Sequence, residues 1–303
     1  MKRIATVYLA GILVFAACLT TAALSAPLSQ DIRETALQTE TGNTDRGPAG
    51  TGGEEQTPPR KSPYDKPAFW GTRLINLPTT TAMEAKDVLF RISHRFYGPV
   101  DEGYDTFFGL DSGANVFFSL GYGITDKLGI SIGRARLFSE WEMGLGWAVI
   151  EQGVTAGLPF SAAVHAGFDW VTQEGLGALK WNIQLSLSRQ VSRRLSVLAV
   201  PSFSTNTDFQ DLDPEGTFAM GLGCRYMIFE DFSIALEWIP VIAGYKDVQN
   251  GWGLGLEKKI GGHVFQVFVT NAFGLTSSQV VPGGDLRIGD FDFRVGFNIF
   301  RTF

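Results

Sequence analysis

The sequence predicts an all-β fold: a transmembrane, antiparallel, up-and-down β-barrel of about twelve strands. Three observations predict it. The chain opens on an export signal, its hydropathy alternates with period two, and it ends on an aromatic strand at Phe303.

The export signal comes first. Lys2 and Arg3 form a positive start, Ile4 to Leu19 is apolar, and small residues follow, which is the layout of a secretory signal. Cleavage after Ser25 fits best, with Ala23 and Ser25 as the small residues before the cut, giving a signal over residues 1–25. Phe15-Ala16-Ala17-Cys18 is an alternative, lipoprotein-type cut, although Phe15 departs from the Leu expected there. A membrane anchor is disfavoured, because the apolar run is short for a span.

Residues 26–66 follow, rich in Thr, Gly, Pro, Glu and Gln. Such a segment cannot bury enough apolar surface to offset its ordering entropy. It is expected to be a disordered periplasmic tail. Structured sequence is expected from Pro67-Ala68-Phe69-Trp70, so the barrel domain is placed at residues 67–303.

Within that domain the period is two, which sends alternate side chains to opposite faces of a strand. In residues 179–190, Leu179, Trp181, Ile183, Leu185 and Leu187 share one face, while Lys180, Asn182, Gln184, Ser186, Ser188 and Gln190 share the other. Trp141, Met143, Leu145, Trp147 and Val149 alternate with Glu142, Gly144, Gly146 and Ala148. The last segment sets Phe291, Phe293, Val295, Phe297 and Ile299 against Asp292, Arg294, Gly296 and Asn298. Strands are expected near 87–97, 115–123, 128–136, 140–150, 160–170, 178–190, 195–204, 217–228, 231–240, 251–260, 263–271 and 290–302. Links at 98–114, 205–216, 241–250 and 271–289 are long, whereas those at 125–127, 192–194, 230 and 261–262 are tight. Long and short largely alternate, as outer loops and periplasmic turns do. The links at 137–139 and 151–159 break the pattern.

A soluble barrel would put the apolar face inside; a membrane barrel reverses it. The polar face here is too small and too polar for a core. Aromatics at strand ends (Trp141, Trp170, Tyr226, Trp238, Trp252 and Phe303) sit where interfacial girdles belong. Composition agrees. Glycine (36 residues) and phenylalanine (24) are abundant while mean hydropathy is only +0.07, as half-lipid, half-water strands require. Beyond residue 26 no run is long and apolar enough for a helical span. A net charge of −6 argues against a nucleic-acid partner.

Arg91, Arg95, Glu142, Asp169, Lys180, Arg225, Glu237, Glu257 and Arg294 all fall on the polar face. Closing the barrel makes the first and last strands neighbours, which gathers Arg91, Arg95 and Arg294. Two readings stay open. The cluster is a constriction that selects solutes, or it is an ion-pair network that holds the shape of a narrow lumen. The balance of signs favours the second.

His94, His165 and His263 are the only histidines. Ser93 and His94 are neighbours on opposite faces, so they do not form a nucleophile–base pair. A Gly-x-Ser-x-Gly elbow and metal-binding spacings of His or Cys are missing, so catalytic, cofactor and metal sites are not expected. Tyr122-Gly123 and Gly221-Leu222-Gly223 open no helix and mark close packing or curvature rather than a phosphate loop. Phe107-Phe108-Gly109-Leu110-Asp111 is apolar for a loop; folding over the lumen and packing on the rim both stay open.

Phe90-Arg91-Ile92-Ser93-His94-Arg95-Phe96, Phe108-Gly109-Leu110-Asp111, Tyr122-Gly123-Ile124-Thr125-Asp126-Lys127-Leu128 and Ile132-Gly133-Arg134 carry a family resemblance. It continues in Gly261-Gly262-His263-Val264-Phe265-Gln266, Thr270-Asn271, Phe297-Asn298-Ile299, Arg301 and Phe303. Over roughly residues 70–303 the chain resembles the outer-membrane barrels grouped as domain of unknown function 5777. The resemblance implies a barrel and adds no reaction or substrate. It makes Phe303 similar to the terminal signal by which the barrel-assembly machinery recognises its clients. The expectation is an integral outer-membrane protein in contact with lipid: a narrow passive channel for a small polar solute, or a closed structural barrel. A membrane-embedded hydrolase and a loop-based interaction scaffold are the alternatives.

Overall fold

A computed structural model describes residues 67–173, 178–208, 216–290 and 292–303. The signal at 1–25 with Cys18, and the tail at 26–66, lie outside the described residues. Thirteen strands are present among the described residues: β1 (Val88–Phe96), β2 (Ala114–Gly123), β3 (Leu128–Ala135), β4 (Glu140–Ile150), β5 (Ser161–Val171), β6 (Ala178–Gln190), β7 (Leu195–Ser204), β8 (Thr217–Phe229), β9 (Phe232–Ile239), β10 (Val241–Ala243), β11 (Gly251–Ile260), β12 (His263–Thr270) and β13 (Arg294–Thr302).

Twelve of these close a barrel. Each pairs antiparallel with its neighbours in the chain, β9 pairs with β11, and β1 meets β13. The seam runs from Leu89 opposite Thr302 to Arg95 opposite Gly296. Three-residue β10 only extends the loop end of β8, at Val241 opposite Ala219. Closure satisfies the backbone groups of every wall strand without water, which a lipid surround demands.

The polarity of the wall is inverted relative to a soluble protein. On β6, Trp181 and Ile183 are 57% and 53% exposed, while Lys180 and Ser186 are 2% and 0% exposed. Apolar side chains outside and polar ones inside define a membrane barrel. At the end of the barrel that carries the long loops, Trp141 pairs across strands with Trp170 and Trp238 with Trp252, giving one interfacial girdle.

Strand bounds agree with the period-two reading to within a residue or two, except at the last strand. It starts at Arg294 rather than residue 290, because Ile288–Asp290 is a 3-10 turn and the carbonyl of Phe293 accepts the Val100 N–H from the first loop at 2.8 Å. The two links that broke the long–short pattern do break it. Residues 136–139 are a tight 3-10 turn, and 151–160 form a compact hydrogen-bonded loop at the short-turn end.

The first wall residue is Val88. Residues 67–87 are not part of the wall; residues 69–81 run inside it.

Candidate functional site

Two segments occupy the lumen, one from each end. From the short-turn end comes a hairpin. Its arms meet at Arg73 and Pro78, the Thr79 N–H donates to the Thr72 carbonyl (2.9 Å), and its apex is Leu74-Ile75-Asn76-Leu77. A backbone taken into a lumen must find partners for its polar groups, and the polar wall supplies them. The Glu237 carboxylate accepts the N–H groups of Ile75, Asn76 and Leu77 at 2.7–2.9 Å. Three successive donors around one anion form a nest. The apex carbonyls are met in turn: Gln266 donates to Leu74, and Asn298 to Ile75 at 3.0 Å. Ser186 donates to the Pro78 carbonyl at 2.7 Å, and the His165 ring lies 3.0 Å from the Thr79 carbonyl.

The hairpin also carries its own apolar core. Phe69, Leu74, Ile75 and Leu77 are buried against Leu198, Val200, Ala219, Ala235, Ile239 and Phe268. Burying each such side chain stabilises by about 1.5–3 kcal/mol. Lumen-facing glycines make the room. A Cβ at Gly223 would lie 2.6 Å from Leu74 Cδ2, one at Gly221 would collide with Leu77, and one at Gly123 would overlap the Glu84 carbonyl. These are the glycines of Tyr122-Gly123 and Gly221-Leu222-Gly223, and each is closely packed.

From the long-loop end comes the β12–β13 connection, 271–293. It contains a single helical turn, α1 (Ser277–Val280). Three carboxylates hold it. The Ser277 N–H donates to Glu142 (2.7 Å), the Ser278 N–H donates to Asp169 (2.9 Å), and Thr276 and Ser278 hydroxyls donate to Glu140. Val280 and Val281 reach the apolar cluster of the hairpin, and Arg73 Nη2 lies 3.4 Å from Ser277 Oγ, so the two segments touch.

All nine charged residues singled out in the sequence face this lumen and are buried. Glu142, Asp169 and Lys180 stand side by side on β4, β5 and β6. The ion pairs, however, mostly reach outside the nine. Lys180 pairs with Glu140 (3.0 Å), Arg294 with Asp285 of the inserted loop (2.6 Å), and Glu142 with Arg73 of the hairpin (3.2 Å). Only Arg91 and Glu142, at 3.8 Å, pair within the set. Arg95 donates to Asn76 (2.9 Å) and stacks on Phe268, while Arg225 lies over Trp70 and donates to the Pro67 carbonyl. Glu257 accepts from Ser233 and Gln266. The seam does gather the arginines. Arg91 and Arg95 share the lumen face of β1, and Arg294 opens β13 on the same face.

Sequence reasoning missed Glu140, Asp285 and Arg73, together with both inserted segments. Glu140 shared its parity with Glu142, which was a usable signal. Phe107 and Phe108 are both largely exposed on a loop built around Val100–Thr106, so neither ring fills the lumen.

The histidines sit in three separate places. His94 points outward and stacks on Phe297 (4.8 Å), His165 faces the hairpin, and His263 meets Arg301 at 2.9 Å at the short-turn end. Phe303 closes the seam, its N–H donating to the Val88 carbonyl at 3.0 Å.

The inserted segments leave space beside them. A cavity of about 120 Å³ lies between the hairpin and the wall from β1 to β6, ending at Ser277. It adjoins a second, of about 170 Å³, lined by Trp70, Met83, Lys259, Gly262 and Thr302 at the short-turn end. On the other side of α1, a 30 Å³ pocket is lined by Ser278, Gln279, Phe138 and Lys180. One turn of backbone separates the two sides.

Among solved structures, the chain is similar to the NanC porin (8% identity, TM-score 0.46, covering 71% of this chain and 98% of that one). It is also similar to the KdgM porin (13%, 0.45, 72% and 99%) and to outer membrane phospholipase A from Escherichia coli (15%, 0.39, 75% and 95%). No curated protein matches the sequence. The model of one family, described as membrane bound beta barrel domain (DUF5777), matches residues 69–303, hairpin and wall together. The chain is a member of that family of membrane-bound β-barrels.

Proposed function

We propose that the protein is a narrow, gated channel for small polar solutes in the outer membrane. The observation that carries this reading is the unfilled strip of lumen beside the hairpin, which ends at the Thr276-Ser277-Ser278 turn. The two inserted segments differ in how they are held. The hairpin has an apolar core and serves as a fixed constriction. The loop turn is held mainly at Glu140, Glu142 and Asp169 by hydrogen bonds, which water can replace on release, with Val280 and Val281 as its only side chains in the hairpin's apolar cluster. The turn is therefore the gate. Export through the signal at 1–25, cleavage after Ser25, a tail at 26–66 on the periplasmic side and assembly through Phe303 complete the proposal.

Planar-bilayer recording of the full chain tests it. The wild type should show brief, small conductance steps. Thr276→Val, which removes a hydroxyl from Glu140, should raise the open fraction without changing step size. Silence of both proteins across voltages and salts would overturn the channel and leave a closed structural barrel.

A further inference from the structure

We propose that Arg134 and Arg136 form a docking site for the phosphate of an anionic lipid headgroup, on the outer wall at the long-loop end. The inference goes beyond the channel reading and does not depend on conduction.

Charge on the wall is sorted by face. The carboxylates of the wall strands, Glu140, Glu142, Asp169, Glu237 and Glu257, all point into the lumen and are buried. The charged side chains on the outer face of those strands are all cationic: Arg134, Arg189, Lys258 and Arg301. Arg189, Lys258 and Arg301 stand at the short-turn end. There Lys258 pairs with Asp231 at 2.6 Å, and Arg301 meets His263 at 2.9 Å. Arg134 stands at the long-loop end, with Arg136 beside it.

Arg134 continues the exposed row of Ile130 and Ile132 on β3, between Phe118 on β2 and Trp141 on β4. Its guanidinium carbon is 5.9 Å from the centre of the Trp141 ring, which puts it at the level of the aromatic girdle. Arg136 follows about 6–7 Å away and is also exposed. One of its nitrogens donates to the Ala114 carbonyl at 3.2 Å, which holds the side chain along the rim. Neither arginine has an ion pair among the described residues.

The rim is low at this point. The β3–β4 link is the tight turn at Leu137–Ser139, where the long–short pattern calls for an outer loop. The first loop, with Asp101, Glu102 and Asp105, is tied the other way: the Val100 N–H donates to the Phe293 carbonyl, ahead of β13. Two neighbouring cations in the headgroup layer therefore take their anion from the surround. A phosphate held between two planar guanidinium forks suits both the charge and the geometry. At this depth a membrane presents phosphate on lipid, which makes the occupant a headgroup and not a free anion.

Native mass spectrometry of the full chain, folded in detergent, tests this with phosphatidylglycerol, phosphatidylcholine and oleate as probes. At low salt one phosphatidylglycerol per barrel should be retained in preference to phosphatidylcholine by about tenfold. The double variant Arg134→Gln/Arg136→Gln should bring that preference close to parity, and Arg189→Gln, at the opposite end, should leave it in place. Heat-modifiable gel mobility verifies that each variant folds; Arg136→Gln alone substitutes for a double variant that does not. Equal retention of the two phospholipids, a preference that survives the double variant, or an equal loss in Arg189→Gln would overturn the proposal. So would oleate, a charge without phosphate, binding as well as phosphatidylglycerol. Displacement of the lipid by inorganic phosphate, at an ionic strength where sodium chloride has no effect, would assign the pair to a free anion. A dimer that the double variant abolishes would assign the face to a second copy of the chain. Either result would also overturn it.

Discussion

Replacing Glu237 by alanine should release the hairpin while leaving the wall intact. The carboxylate is fully buried and accepts three backbone N–H groups, two of them through Oε1 alone, with Asn76 shared between both oxygens. Removing it strands three donors in the lumen. A hydrogen bond to a charged group contributes about 1.5–3 kcal/mol, and the three are not additive because they share one acceptor and water can enter. Breaking a buried charged cluster from one side costs ~3–5 kcal/mol. Hairpin opening should therefore become more frequent by roughly two to four orders of magnitude. Hydrogen exchange of the detergent-folded protein reads this directly, through the amides of residues 72–79. Glutamine is the informative control. It retains one oxygen for Ile75 and Leu77 but turns an amide toward Asn76, so it should fall between wild type and alanine. Unchanged exchange of residues 72–79 in the alanine variant would refute the reasoning. So would equal acceleration across β8 and β9, because Glu237 would then be stabilising the wall and not the hairpin.

Two more predictions follow from the same architecture. Gly123→Ala places a Cβ on the Glu84 carbonyl, with backbone on both sides and no side chain to yield; it should destabilise by ~1–3 kcal/mol, read as an earlier heat-modifiability transition, whereas Gly289→Ala, with nothing within 4 Å, should be silent. At the loop end, burial raises the carboxyl of Asp285 above its ordinary range against the opposing pull of Arg294, and burial together with Asp285 raises that of Asp247. A carboxyl whose folded pKa exceeds its unfolded value binds its proton more tightly when folded. The contribution therefore favours the folded loop as pH falls through the raised values and is lost as pH rises above them. The contacts of Gln249 with Gly284 and of Asp247 with Pro282 should gain exchange protection in mildly acidic buffer, and Asp247→Asn should flatten that dependence.

The wall was legible in the sequence because lipid and lumen impose opposite demands on successive residues. Residues 178–190 show it best: every second side chain from Leu179 to Leu187 is apolar, and the strand found is Ala178–Gln190. The seam followed from closure alone. The contents of the lumen were not legible, for a physical reason. Leu74-Ile75-Asn76-Leu77-Pro78 is four residues and a proline, too short for any period and unlike a strand. Thr276-Ser277-Ser278 is as polar as an exposed loop, because its partners are carboxylates. Polar wall residues look the same whether they face water, solute or another stretch of backbone. The surplus of lumen glycines at Gly121, Gly123, Gly221 and Gly223 was the one sign that something had to come close.

The hairpin apex has a consequence for how the molecule assembles. Its partners lie far along the chain: Glu237 is 160–162 residues from the apex, Gln266 is 192 and Asn298 is 223. The nest is empty until β9 arrives, and the Ile75 carbonyl is unmet until β13 does. Loop-closure entropy on that scale precedes any reward, which makes the topology a slow one. The N-terminal insert and the last strand thus test each other's presence: a barrel that zips its seam without the hairpin seated would enclose a row of lumen charges facing nothing but water, and would be marked by an open conductance from the moment it formed.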